Sequence, residues 1–253
     1  MNYIDSHAHI IYEEFDTENA MKHIDEVGFK KVMIVCLTIK QAQQALELAR
    51  KDKRYDVAIG IHPSDVKHTN IEILTQIKEI AKDPYVVAVG EIGLDYYWDK
   101  ENKEDQLSFF KQQIQIANEV DKPILIHSRD AIEDTLKMLK AHPAKRCGIM
   151  HCYSSSKEIA DELVKMGYLI SLAGPVTFKN AKEPKRVATE IALEHLLTET
   201  DCPFLTPEPF RGKTNEPSYV QYCYQKIADL KEVPLKKVLD QFEQNYMNLF
   251  HKK

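Results

Sequence analysis

The feature that most constrains this chain is a recurrence: eight short apolar runs, each followed by a polar stretch with helical spacing. The runs are Tyr3–His9, Lys31–Leu37, Asp56–Ile61, Val86–Glu91, Pro123–His127, Cys147–His151, Tyr168–Leu172 and Leu196–Glu199. Most are rich in Val, Ile and Leu and alternate little, as parallel strands covered on both faces do. Amphipathic spacing predicts helices over Asn19–Val27, Ile39–Lys51, Ile71–Lys82, Glu104–Val120, Ala131–Ala141, Lys157–Met166 and Lys182–Ile191, and in the tail over Pro217–Lys231 and Pro234–His251. Strand-helix alternation implies βαβ units with right-handed crossovers. Eight such units in 253 residues match an α/β (β/α)8 barrel, expected to occupy residues 1–253 as one domain. The competing doubly wound sheet lacks its signature, because no GxGxxG follows the first run.

Composition excludes other classes. With 43% hydrophobic and 29% charged residues and only 8 Gly and 11 Pro, the chain is neither collagen-like nor disordered. Apolar runs such as Val32–Leu37 are too short to span a bilayer. The start, Met1-Asn2-Tyr3-Ile4-Asp5, has no basic segment followed by a long apolar one, so no secretory signal is expected. Five Cys, an odd number without a CxxC pair, point to a reduced, cytoplasmic protein. A net charge of −5 gives no support to coating of duplex nucleic acid, but allows contact with a strand end where bound cations supply positive charge. A monomer without membrane association or an obligate protein partner is the default expectation.

Barrel active sites lie at the C-terminal ends of the strands, so the residues ending each run carry the functional argument. The first run ends in Asp5-Ser6-His7-Ala8-His9; His7 and His9, two apart on an extended strand, share a face and can reach one ion. The fourth ends in Glu91, the fifth in His127, the sixth in His151, and the eighth leads through Glu199-Thr200 into Asp201. Four His and two carboxylates from five strands exceed what one tetrahedral ion uses, and suit two ions sharing a carboxylate, for which Glu91 is the candidate. Asp201 has two compatible readings, as ligand and as general base toward an attacking water. Asp5 is a candidate to orient a ligand, or alternatively a cap or buried ion pair. His62, held before Pro63, fits substrate or leaving-group contact better than ligation. Arg129, Arg211 and Lys213 are candidate phosphate contacts. Tyr96, Tyr97 and Trp98 either stack on a base or pack at the rim. Cys152 and Cys202 are expected to be structural. His23, His68, His142, His195 and His251 are expected in solvated or capping roles.

These segments resemble the TatD family of metal-dependent deoxyribonucleases, within the amidohydrolase superfamily. The matching pieces are Asp5–His9, Gly60–Pro63, Gly90–Tyr96, Pro123–Arg129, His151–Ser154, Glu199–Pro203 and Arg211–Pro217, in family order over nearly the whole chain. The resemblance implies one divalent ion on His7, His9 and Asp201, a second on His127 and His151, and Glu91 between them. It also implies hydrolysis of DNA phosphodiesters, a role in DNA catabolism, and support by Mg²⁺ or Mn²⁺. The nitrogen-rich ligand set itself favours Zn²⁺ or Mn²⁺ by affinity. One departure is Ser154-Ser155-Ser156, where relatives commonly carry a Gly, which bears on the loop beside His151. The leading expectation is a two-metal nuclease acting on single-stranded or frayed DNA ends. The alternatives are hydrolysis of another ester, a D-aminoacyl-tRNA or a small lactone or amide, and a non-enzymatic protein keeping the barrel, which the intact ligand set disfavours.

Overall fold

The computed structural model describes residues 2–13, 15–98 and 100–251. Eight parallel strands pair in sequence order: β1 (Tyr3–Ala8), β2 (Phe29–Cys36), β3 (Tyr55–Ile59), β4 (Val86–Asp95), β5 (Ile124–Arg129), β6 (Gly148–Met150), β7 (Leu169–Leu172) and β8 (Leu196–Thr198). Helices α1 (Thr17–Val27), α2 (Ile39–Lys51), α3 (Ile73–Ala81), α4 (Lys103–Glu119), α5 (Ile132–Ala141), α6 (Lys157–Lys165) and α7 (Lys182–Glu190) join successive strands, and α8 (Val220–Lys231) and α9 (Leu235–Phe250) complete the ring. The expected barrel is the observed one. All residues of β1, β3 and β4 are buried, which explains why their sequences run apolar instead of alternating.

The barrel closes between β8 and β1 just past the end of β8, where the amide of Asp201 donates to the carbonyl of His7 and that of His9 to the carbonyl of Cys202, both at 2.9 Å. Lower on β1, the Tyr224 hydroxyl from α8 bonds both the amide (3.2 Å) and the carbonyl (3.1 Å) of Ile4, meeting the hydrogen-bonding demand of buried backbone. The helix starts obey local chemistry, as Asp16 caps α1 by accepting from Asn19 N, and Thr38 caps α2 by accepting from Gln41 N.

Every strand end but that of β7 shifts by one to four residues from the sequence pattern, and three of the shifts bear most on the site. β4 runs on to Asp95 because Ile92, Gly93, Leu94 and Asp95 keep pairing with Ile126, His127, Ser128 and Arg129. Glu91 therefore lies inside β4. At Gly93, with φ of +143°, a Cβ would fall 2.0 Å from the His127 carbonyl oxygen, so only glycine lets β4 lie this close to β5. β6 stops at Met150 and β8 at Thr198. His151 and Asp201 stand just beyond them, where the chain turns sharply: Cys152 has φ of +44° and Asp201 φ of +57°. Left-handed backbone at non-glycine residues is strain held in place by its surroundings. The expected 71–82 helix begins at Ile73, and Pro63–His68 form a tight 3-10 turn, in keeping with the backbone that Pro63 fixes.

Candidate metal centre

The four His and two carboxylates singled out in the sequence converge at the C-terminal mouth of the barrel. Nε2 of His7 and Nε2 of His9 are 3.1 Å apart. Glu91 Oε2 is 3.3 Å from the first and 3.5 Å from the second, while Asp201 Oδ1 lies 3.9 and 3.6 Å from them. An ion held at about 2.0–2.2 Å by a tetrahedron of donors sets those donors about 3.3–3.6 Å apart. The measured spacings lie near that range, so His7, His9 and Asp201 could hold one divalent cation with Glu91 beside them, and two imidazole lone pairs do not face each other at 3.1 Å without a proton or cation between them.

The other oxygen of Glu91 faces a different group. Oε1 is 2.8 Å from His127 Nδ1, 3.1 Å from His151 Nε2 and 3.6 Å from His62 Nε2. One buried carboxylate therefore turns its two oxygens toward different sets of side chains that could hold a metal ion.

The ring tautomers separate the histidines by role. His9 Nδ1 sits 3.3 Å from the Val35 carbonyl, His151 Nδ1 2.7 Å from Glu199 Oε1, and His127 Nε2 2.9 Å from Asp95 Oδ2. In each ring the far nitrogen donates to an acceptor, which leaves the near nitrogen a lone pair aimed at the centre, as metal-ligating imidazoles require. His62 is the opposite case. Its Nδ1 accepts from the Ser64 amide (3.1 Å) and faces the Ser64 hydroxyl (2.7 Å), so the proton of the neutral ring sits on Nε2 and points into the cleft.

Electrostatics follow from this geometry. Burial disfavours ionised Glu91, yet the imidazoles of His151, His62 and His7 outweigh it and hold the carboxyl well below the usual range. Burial likewise opposes charge on His151 and His9, but Glu199 and Glu91 hold His151 well above its ordinary value, and Asp201 with Glu91 bring His9 to about 9. Burial alone dominates at His62, which falls to about 4 and is neutral near pH 7. Asp5 is pushed up by burial to about 8, against hydrogen bonds from Thr200 and His7. It accepts from the Thr200 amide (2.9 Å) and hydroxyl (2.5 Å) and from the His7 amide (3.3 Å), tying the two segments that carry His7 and Asp201.

Of the expected phosphate contacts, only Arg129 lines the cleft, a cavity of about 650 Å³. Arg211 lies over the Phe178 ring (4.3 Å) and Lys213 over Phe210 (5.2 Å), outside that lining. Their motif acts on the site through its later residues. Asn215, fully buried, donates to the carbonyls of Thr200 (2.8 Å) and Phe204 (2.6 Å) and so shapes the loop that carries Asp201, while Glu216 pairs with His23 at 2.8 Å. Ser154–Ser156 need no glycine: the left-handed residue is Cys152, and Ser156 caps α6. The Cys152 thiol is pushed well above its usual value by burial and by the neighbouring carboxylates of Asp201 and Glu199, so it stays protonated; all five cysteines are free. His251 is only partly solvated, because it pairs with buried Asp56 at 2.7 Å.

Sequence reasoning gave no role to Asp95, Glu199 and Asn215. Asp95 could have been found by extending β4, since alternation puts residues 91, 93 and 95 on one face. Glu199 and Asn215 touch the centre only through contacts made by folding.

Residues 4–251 match the family model described as TatD related DNase. The chain belongs to the TatD family. It is 45% identical over 249 residues to a protein of Bacillus subtilis named uncharacterized metal-dependent hydrolase YabD, covering 97% of this chain and 98% of that one. A like-named protein of Escherichia coli K12, YcfH, is 34% identical over 256 residues, covering 98% and 95%. The crystal structure of the TatD homolog YJJV from E. coli superposes with a TM-score of 0.92 at 28% identity, covering 99% and 98% of the two chains. The TatD-family chain described here is accordingly a metal-dependent hydrolase, built on the barrel it shares with these relatives. No helix among its described residues is long and apolar enough to cross a membrane.

Proposed function

We propose that this TatD-family hydrolase binds two divalent ions and cleaves phosphodiester bonds of DNA at single-stranded or frayed ends. The observation that carries the reading is the division of Glu91, with Oε2 toward His7 and His9 and Oε1 toward His127 and His151. His7, His9 and Asp201 would hold one ion, His127 and His151 the other, with Glu91 shared. The donor set favours Zn²⁺ or Mn²⁺ for tight binding, and Mg²⁺ or Mn²⁺ is expected to support turnover. When bound, such a pair supplies an acidified water and neutralises charge building on phosphorus.

The protein's own groups do the rest. Asp201, partly open to the cleft, accepts the proton of the attacking water. His62, neutral and carrying its proton on Nε2, donates a hydrogen bond to a phosphoryl or leaving-group oxygen. Arg129 in the cleft wall offers a planar guanidinium suited to phosphate oxygens. Arg211 and Lys213 are assigned no direct phosphate contact.

The experiment is a matrix of substrates and metals on purified protein: single-stranded DNA, duplex DNA, RNA, a D-aminoacyl-tRNA and small esters, each with Mg²⁺, Mn²⁺ or Zn²⁺, beside Glu91→Ala. Shortening of single-stranded DNA that disappears in Glu91→Ala is the expected result. Inert DNA with turnover of an aminoacyl or small ester would keep the metal centre and overturn the nuclease reading.

A further inference from the structure

Among the described residues, six large hydrophobic side chains are exposed, and five of them cluster at the metal cleft: Tyr12, Tyr97, Trp98, Phe204 and Leu205. A cluster of exposed apolar side chains rimming a polar cleft marks a ligand-binding surface. The rings fall on two sides. Phe204, 47% exposed, stands 6.4 Å from the His9 ring and 5.8 Å from Tyr12, edge-on to both. This wall flanks the His7–His9–Asp201 cluster. Trp98, 69% exposed, packs edge-on to Tyr97 at 4.8 Å. Arg129 lies 3.9 Å from the Tyr97 centroid and 5.5 Å from that of Trp98, two residues along β5 from His127, so this wall flanks the other cluster.

Tyr97 and Trp98 are not what anchors their turn. Their neighbour Tyr96 is buried and bonded to Asp134, so the β4–α4 turn is anchored without Tyr97 or Trp98. Trp98 and Tyr97 are instead held by backbone: their amides donate to Asp95 Oδ1 at 3.0 and 2.9 Å, the residue whose other oxygen accepts from His127. The aromatic platform is thus fixed directly to a metal-ligand support. On the other side the cleft continues, through shared residues Tyr12, Thr38 and Gln41, into a groove of about 1160 Å³ along α2.

We infer that the two walls form a base clamp, Tyr12 with Phe204 on one side and Trp98 with Tyr97 on the other, receiving the two bases that flank the scissile phosphodiester of a single strand. Arg129, stacked on the Trp98 side, is placed to meet the phosphate between them. Stacking on aromatic rings is tolerant of base identity but requires unpaired bases, since neighbours cover both faces of a base in duplex. The clamp therefore selects single strands of any sequence and disfavours both duplex and small esters that lack two flanking rings. This inference rests on the phosphodiesterase reading and names the residues that set its substrate preference.

Trp98 is the only tryptophan in the chain, so it reports on the clamp without a label. The test titrates the Mg²⁺-loaded protein with a phosphorothioate-linked thymidine tetramer and with the same backbone lacking bases, following Trp98 emission, and separately compares cleavage of ordinary base-bearing and abasic strands. The expected result is saturable quenching by the thymidine strand alone, with binding at least about tenfold tighter than for the abasic strand, given about 1–3 kcal/mol per stacked base. Tyr12→Ala and Phe204→Ala should each shrink that preference severalfold. Equal binding of the two strands, or unchanged Trp98 emission at saturation, overturns the clamp. If base-bearing and abasic strands are cut equally, the clamp falls and the phosphodiesterase stands; if neither is cut under any metal, both fall together.

Discussion

Glu199→Gln tests how the centre is held together. Glu199 is fully buried, and its Oε1 accepts from both His151 Nδ1 and the Cys152 amide at 2.7 Å. The hydrogen bond to His151 fixes the tautomer that turns Nε2 toward Glu91, and the negative charge makes that nitrogen a better donor to a cation. Glutamine keeps an acceptor for both partners but removes the charge. Its amide nitrogen would fall where Oε2 now has no hydrogen-bond partner, leaving a buried N–H unsatisfied. Loss of a carboxylate behind a ligating imidazole costs about 10–100-fold in metal affinity, or about 1.4–2.7 kcal/mol, and the stranded N–H costs about 1–3 kcal/mol of stability. Calorimetric titration of the demetallated protein with Mn²⁺ or Zn²⁺ should show the weakened event at one of two sites, the one built on His151. An unchanged affinity, or equal weakening at both sites, would refute the assignment of Glu199 as support for a single ligand.

Other consequences can be measured directly. Since His9 and His151 are held above the ordinary imidazole range by their carboxylate neighbours and must be deprotonated to bind a cation, metal binding should release protons and its affinity should fall steadily as pH drops below about 9; calorimetry in buffers of different ionisation enthalpy counts those protons. Asn215→Ala removes two buried hydrogen bonds to the loop carrying Asp201, so it should cost about 2–3 kcal/mol in denaturant unfolding and lower metal affinity although the residue is no ligand; a variant with normal metal binding would show the loop holds its shape without it. Removing both ions by chelation, from a protein held at about 100 times the Kd of each site, should cost about 5.4 kcal/mol, a melting-temperature drop of about 11–22 °C for a chain of this size.

Much of this was written in the order of residues. Repetition of apolar run and amphipathic segment makes the barrel legible, because parallel strands buried on both faces leave an unmistakable lack of alternation, as in β3 and β4. His7 and His9 were readable from period-two geometry, and Glu91, His127, His151 and Asp201 from their place at or near strand ends. The bounds of those strands were less legible. Glu91 lies within β4, because pairing with β5 carries that strand to Asp95 through a glycine chosen for close approach.

What the chain order could not contain is the relation between residues far apart in it. Which oxygen of Glu91 faces which histidine depends on partners up to 84 positions away, as with His7, and the proton on the His151 ring is placed by Glu199, 48 positions on. The motif at 211–217 shows the same limit: its cations suggested phosphate, but folding put Arg211 and Lys213 on outlying rings and gave the shaping of the site to Asn215. By itself the sequence determined the barrel and the residue types gathered at its mouth, since periodicity and strand-end position are local properties of a chain. Only the tertiary structure decided orientation, tautomer and charge, since each of those is set by the nearest atom in space and not by the nearest residue in sequence.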